Sequence, residues 1–173
     1  MSKTYYIFRH GETFATKRNT GYGFKVYTAG ILEEGRSVIE KLGEYLKDKQ
    51  IDFAVSSPVL RCRESAEIVG KIIDKEFVID KRIREFFLET FWHLKRRVVS
   101  FVKEIEASEQ ENILICTHGA IMAALRDILI EGGFHARHLN LYPKPGILLV
   151  IKENQIQQID FNSLSPESVD EQL

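Results

Sequence analysis

Tyr5-Tyr6-Ile7-Phe8-Arg9-His10-Gly11-Glu12-Thr13 begins with four apolar or aromatic residues that run directly into an arginine, a histidine and a glycine. A short apolar run bounded by a turn signal reads as a buried strand, which places His10 just beyond its carboxyl end. Ile113-Leu114-Ile115-Cys116 repeats the device, running into Thr117-His118-Gly119-Ala120. Two histidines therefore arrive at strand ends, each followed by a glycine that lets backbone approach a ligand closely. A histidine delivered beside an arginine can accept a phosphoryl group, so this pair is the candidate site.

Outward from these two strands the chain alternates strand-like and helix-like segments with no internal repeat and no Pro/Gly-rich linker, the pattern of an α/β unit. Val38, Ile39, Leu42, Tyr45 and Leu46 recur at helical spacing, and Phe53-Ala54-Val55 reads as a short buried strand. Ser57-Pro58 is expected to start the next helix, with serine at the N-cap and proline at the first helical position. Ala66, Val69, Ile72 and Ile73 supply its inward face. Phe77-Val78-Ile79 follows as a strand. Leu94, Val98, Phe101, Val102 and Ile105 then mark an amphipathic helix whose charges Lys95, Arg96, Arg97 and Lys103 read as a solvated face. Residues 121–130 form a further helix, and Gly146–Ile151 with Ile156–Phe161 form a hairpin around Glu153-Asn154. The domain is expected to cover 1–161, followed by an acidic, mobile tail over 162–173.

With 44% hydrophobic and 28% charged residues, 173 residues suffice for one domain with a real core. A net charge of −1 gives no global attraction to nucleic acid or an anionic membrane, so neither is expected as a partner. No signal-peptide or membrane-spanning stretch is seen in the sequence, and a cytoplasmic protein is expected. Two cysteines, Cys62 and Cys116, lack metal-ligand spacing and are read as reduced thiols, with a redox option left open by their closeness to Arg61 and His118. Oligomeric state is not legible.

Ligands in such sheets bind beyond the carboxyl ends of the strands. Helices starting after Gly119 and near Ser57 present free N–H groups there, which suits a phosphate dianion. Arg9 and Arg61 add planar donors. Three motifs, Arg9-His10-Gly11-Glu12-Thr13, Ser56-Ser57-Pro58 with Arg61 and Glu64-Ser65-Ala66, and Thr117-His118-Gly119-Ala120, resemble in order and spacing those of the histidine phosphatase superfamily, also called phosphoglycerate mutase-like. The resemblance covers roughly residues 3 to 161. It implies a three-layer α/β/α sandwich with a mostly parallel central sheet. It also implies catalysis by a phosphohistidine on His10, with Arg9, Arg61, His118 and Gly119 around the phosphate and His118 protonated beside it. Glu85, in Arg82-Ile83-Arg84-Glu85-Phe86, resembles the acid that protonates the leaving oxygen. Glu89 is the alternative, on the same face if the segment is helical.

Departures from the family pattern sharpen the expectation. Thr16 stands where members often place a phosphate-contacting asparagine, so a hydroxyl is left to make part of that contact. Glu33 occupies the place of a threonine cap. Only a few residues separate Glu85 from the helix around Leu94, where larger members insert a long covering stretch, so a more open pocket is expected. That favours a metal-independent phosphatase of the histidine acid phosphatase type, acting on a small phosphomonoester or a phosphorylated protein side chain without cofactor. A mutase-type phosphotransferase and an inactive phosphate-binding protein are the alternatives. A cation site from His10, Glu12 and His118 is disfavoured because the arginines would repel a metal. Phe14, Phe24, Phe86, Phe87, Phe91 and Trp92 are placed near the mouth or in the core. His135 and His138 are expected as exposed loop histidines at the rim.

Overall fold

The computed structural model describes residues 3–163; the expected acidic tail lies outside them save for Asn162 and Ser163. Six strands build the sheet: β1 (Thr4–Arg9), β2 (Phe53–Ser56), β3 (Val78–Ile79), β4 (Asn112–Thr117), β5 (Ile147–Lys152) and β6 (Gln155–Asp160). Their order is β3-β2-β4-β1-β5-β6. The first four run parallel, while β5 pairs antiparallel with β1 and β6 with β5. The helices are α1 (Phe14–Arg18), α2 (Glu33–Leu46), α3 (Leu60–Ile73), α4 (Phe91–Ala107) and α5 (Gly119–Glu131).

Alternation along the strands divides the core in two. Tyr5, Ile7, Ile113 and Ile115 face α4 and α5 on one side, with Leu94, Val98, Phe101 and Ile105 of α4 packed onto them. Tyr6, Phe8, Leu114 and Cys116 face Ile39 and Leu42 of α2 and Ala66 and Val69 of α3 on the other. This is the expected three-layer α/β/α sandwich. Ile7 and Phe8 are wholly buried, each worth about 1.5–3 kcal/mol relative to exposure. The hairpin turns at Glu153 and Asn154, both at positive φ (49° and 61°), as a two-residue turn between twisted strands requires. The expected strand at 77–79 shrinks to an exposed two-residue edge.

Two local expectations fail. The helix after β2 starts at Leu60 rather than at Pro58, with Val59 at its N-cap and no side-chain cap. Ser57 instead turns its hydroxyl into the interior, where it accepts from the Val59 N–H and meets His118. On α4, Arg97 does not belong to the solvated face: only 6% of it is exposed, and it pairs with buried Glu89.

Candidate active site

β1 and β4 are paired in register with Arg9 opposite Thr117, and the His10 N–H continues the ladder to the Thr117 carbonyl at 3.1 Å. His10 and His118 therefore each sit one residue past a paired position, their ring centroids 5.4 Å apart. His10 Nδ1 lies 2.8 Å from the Gly11 carbonyl, a bond that only a protonated Nδ1 can donate. Nε2 is then left with its lone pair, which accepts from Arg61 Nε–H at 3.1 Å. Burial, reinforced by Arg9, His118 and Arg61, pushes the His10 pKa well below that of an ordinary histidine, opposed only by the Gly11 carbonyl. His10 is a neutral imidazole whose lone pair points into a group of cations.

Arg61, the second residue of α3, is completely buried. A buried guanidinium needs partners, and it has them: the Val26 carbonyl at 2.6 Å, Glu85 Oε2 at 2.7 Å and the face of Tyr22, 4.0 Å from its ring centroid. Ser65, one turn further along α3, accepts from the Gly11 N–H at 2.9 Å and donates to the Arg61 carbonyl at 2.7 Å. It thereby ties the first motif to the second.

His118, equally buried, reaches Ser57 Oγ with Nε2 at 2.7 Å and Glu85 Oε2 with Nδ1 at 3.3 Å, while Cys62 Sγ lies 3.5 Å from Nε2. Burial alone would lower its pKa, but the Cys62 sulfur and the Glu85 carboxylate override it and the net shift is upward. Two imidazoles in one site are thus driven in opposite directions, the arrangement by which proteins separate a nucleophile from a cation.

The segment carrying Glu85 and Glu89 is not helical, so the two carboxylates do not share a face. Glu85 enters the site between Arg61 and His118. Burial would raise its pKa, yet His118 and Arg61 outweigh that and hold it far below the usual carboxylate range. Glu89 contacts neither His10 nor His118 and is buried against Arg97, Arg84 and His93. Arg97 also donates to the carbonyls of Arg82 and Glu85, and Thr117 Oγ1 donates to the Ile83 carbonyl at 2.8 Å. These bonds fix the backbone from which Glu85 projects.

Arg9 stands at the end of β1 with Nε buried and, among the described residues, without a hydrogen-bond partner. Its guanidinium lies 5.0 Å from the Tyr142 ring centroid. The same ring fills the space beside Gly119, where an added Cβ would come within 2.4 Å of it. What approaches this glycine is therefore protein rather than open space. Gly11 likewise accommodates Ile39 and the Gly35 carbonyl. Thr16 is drawn into its own helix cap, accepting from Thr13 N–H at 2.8 Å and donating to the Thr13 carbonyl at 3.1 Å. The open mouth expected from the short 84–90 connection is not observed. His10, Arg61 and His118 have no exposed surface; Tyr22 lies over the Arg61 guanidinium and edge-on to His10, and Tyr142, from a second loop, packs beside Arg9 and Gly119.

Of the six aromatics, Phe24 and Trp92 are exposed, Phe86 and Phe91 pack on the α4/α5 core, Phe87 meets Tyr27 and Phe14 meets Tyr22. His138 is not an exposed loop residue. It pairs with buried Asp127, whose other oxygen takes Arg126. Asp127, Glu131 and His138 are close enough to share a metal ion, but both Asp127 oxygens are engaged and one faces a guanidinium, which disfavours a cation. The sequence reading missed Tyr22, Tyr142, Ser57 and Arg97. None sits in a spacing pattern that marks it out, and only Ser57 lay inside a quoted motif.

Cations and one neutral imidazole gathered at parallel strand ends are the chemistry of an α/β protein that handles phosphoryl groups. The chain belongs to the histidine phosphatase superfamily (branch 1), whose sequence profile matches residues 5–91 and 87–157. In fold it is similar to the alpha-ribazole phosphatase from Shigella flexneri, with a TM-score of 0.74 at 19% identity over 92% of this chain and 96% of that one. It is also similar to the mycobacterial glucosyl-3-phosphoglycerate phosphatase, with a TM-score of 0.72 at 18% identity over 95% of each. In sequence it is 27% identical over 116 residues to a "Probable phosphoglycerate mutase GpmB" of Photorhabdus laumondii, covering 66% of this chain and 51% of that protein. The chain spans about half the length of the curated relatives it matches. Among the described residues no helix is long and apolar enough to cross a membrane.

Proposed function

We propose that the chain is a metal-independent phosphomonoester hydrolase acting through a phosphohistidine on His10. The observation that carries this reading is the 2.8 Å contact of His10 Nδ1 with the Gly11 carbonyl, which sets the tautomer of the ring. The Gly11 carbonyl holds the proton on Nδ1, so the free lone pair on Nε2 faces Arg61 and lies beside His118. On entry of a phosphoester, the Arg61 Nε–H moves from His10 Nε2 to a phosphoryl oxygen, and Arg9 Nε and protonated His118 take others. Nε2 then attacks phosphorus in line, the P–O bond to the alcohol breaks, and Glu85 supplies the proton to the departing oxygen. Water attacks the phosphohistidine, returns a proton to Glu85 and frees His10.

Glu85 must carry a proton to act as an acid, although its neighbours hold it ionised in the free site. A phosphate dianion that takes over Arg61 and His118 removes the charges that depress it and adds a like charge beside it, both of which raise its pKa. A monoanionic ester brings the same proton itself.

Hydrolysis is favoured over mutase chemistry by the two solved structures of similar fold, both of them phosphatases. The covered site removes pocket openness as an argument, so the two reactions are separated by assay. p-Nitrophenyl phosphate turnover that survives excess chelator and disappears in His10→Ala supports the reading; chelator-sensitive turnover overturns the metal-free route. Isomer formation on phosphoglycerates without phosphate release would establish the phosphotransferase instead, and phosphate binding without turnover the inactive protein. Substrates are soluble phosphoesters or phosphorylated side chains, and the compartment is the cytoplasm.

A further inference from the structure

Beside His118 two thiols come together. Cys62 is the third residue of α3 and Cys116 the fifth of β4; both are completely buried. Cys62 Sγ lies 3.5 Å from His118 Nε2, and Cys116 Sγ lies 3.5 Å from the Cys62 carbonyl, so the helix presents one sulfur and the strand the other across a single packing contact. We propose that Cys62 and Cys116 are a redox modification site, in which Cys62 is oxidised by a peroxide and Cys116 resolves it as a disulfide. As a regulator of turnover, this pair rests on the reading of His118 given above.

The chemistry is set by the neighbours. Buried cysteines in apolar surroundings are inert, whereas a thiolate near cations and a helix N-terminus is nucleophilic. Cys62 has the second kind of environment: the imidazolium of His118 at van der Waals distance, the adjacent guanidinium of Arg61 and the first turn of α3. Burial pushes its thiol up, but Cys116, His118 and Arg61 override that and bring it down to about 5. Cys116, by contrast, is pushed well above an ordinary thiol by burial and by Cys62, and stays protonated. The Cys62 thiolate attacks one oxygen of hydrogen peroxide, giving sulfenic acid on Cys62 and releasing hydroxide. The Cys116 sulfur then attacks the Cys62 sulfur, and the sulfenic hydroxyl leaves with the Cys116 proton as water. Peroxide, hardly larger than water, must reach the wholly buried Cys62 through the opening that admits substrate to the equally buried His10.

Disulfide formation removes the anion beside His118 Nε2 and draws in the helical turn that carries Arg61. Losing that anion lowers the pKa of His118 and weakens the cation held beside the phosphate, so turnover near neutral pH should fall several-fold on oxidation.

The test exposes the reduced full-length chain to stoichiometric hydrogen peroxide, then caps free thiols under denaturing conditions and reads mass and p-nitrophenyl phosphate turnover together. The expected result is loss of two hydrogens and of both alkylatable thiols, a peptide linking Cys62 to Cys116, and a fall in turnover, all reversed by dithiothreitol. In Cys116→Ser the Cys62 sulfenate should be trapped by a diketone reagent without any linked peptide. In Cys62→Ala, Cys116 should stay unmodified and the remaining turnover should resist peroxide. Two free thiols after treatment, oxidation starting on Cys116, or equal inactivation of Cys62→Ala would each overturn the proposal, as would a linked peptide with full turnover. A linked peptide in a protein that never turned over any ester would support the thiol pair and overturn the hydrolase reading instead.

Discussion

Replacing Arg97 with methionine tests whether a buried ion pair that touches neither His10 nor His118 holds the Glu85 backbone in place. Only 6% of the Arg97 side chain and 4% of that of Glu89 are exposed, and Arg97 Nε lies 3.1 Å from each Glu89 oxygen. Removing one partner of a buried pair leaves an uncompensated charge, at a typical cost of about 3–5 kcal/mol. Arg84 Nη2 remains 3.2 Å from Glu89 and His93 Nδ1 3.4 Å, so the lower end applies and about 3 kcal/mol is expected. With a urea dependence of about 2 kcal/mol per molar, the unfolding midpoint should fall by roughly 1.5 M. Against a total stability of about 5–15 kcal/mol, the protein should still fold. Two further bonds are lost, from Arg97 to the carbonyls of Arg82 and Glu85. Turnover of esters with poor leaving groups should therefore slow more than that of p-nitrophenyl phosphate, which needs little proton donation. In Arg97→Met with Glu89→Gln, the charge penalty is relieved and most of the stability should return, while the leaving-group effect stays because both carbonyls still lack their donor. A stability loss below about 1 kcal/mol in the single variant would refute the argument, since Glu89 would then not depend on Arg97.

Glu85→Ala should slow poor leaving groups far more than p-nitrophenyl phosphate in paired assays; equal slowing would count against the acid role, and unchanged rates would remove Glu85 from the chemistry. Turnover should decline as pH rises through about 6, where a phosphomonoester loses its second proton and the complex loses the proton that Glu85 donates. On the acid side the lowered pKa of His10 should keep the nucleophile neutral. Stability has two opposed contributions. His10, lowered on folding, destabilises as pH falls below about 6.5, and His118, raised on folding, destabilises as pH rises through its folded value. His10→Gln should therefore flatten the acid side of a Tm–pH curve, and His118→Gln the alkaline side. Gly35→Ala would drive a Cβ to within 2.6 Å of the Glu12 backbone nitrogen, costing about 1–3 kcal/mol by overpacking. Because that backbone follows Gly11, the acceptor of His10 Nδ1–H, kcat should fall with it.

The sheet and both helical layers were legible because their signals are periodic. Apolar runs at 5–8 and 113–116 are buried strands, and the 94–105 spacing became the inner face of α4. The start of α3 was not legible, because Ser-Pro obeys the rule for a helix start equally well when serine is needed elsewhere; the difference lies in a contact with His118, sixty-one residues away. Arg97 failed for the same reason, since a charge on a helix reads as solvated until its partner is known. In the site, His10, Arg61, His118 and Glu85 came together as expected, whereas Thr16 is consumed by its own helix cap. Tyr22 and Tyr142 could not be read, because a loop aromatic has no register and its position depends on the whole loop path.

The ladder that continues from Arg9 opposite Thr117 into the His10 amide makes the spacing of the two histidines a property of the innermost strand pair. Their separation is then protected by the same cooperative unit that must unfold globally, and the His10 amide should be among the slowest in the chain to exchange its hydrogen. The tyrosines above belong to surface connections that can be rewritten without touching that ladder. Descendants of such a chain can change diet by altering loops while inheriting an unaltered reaction.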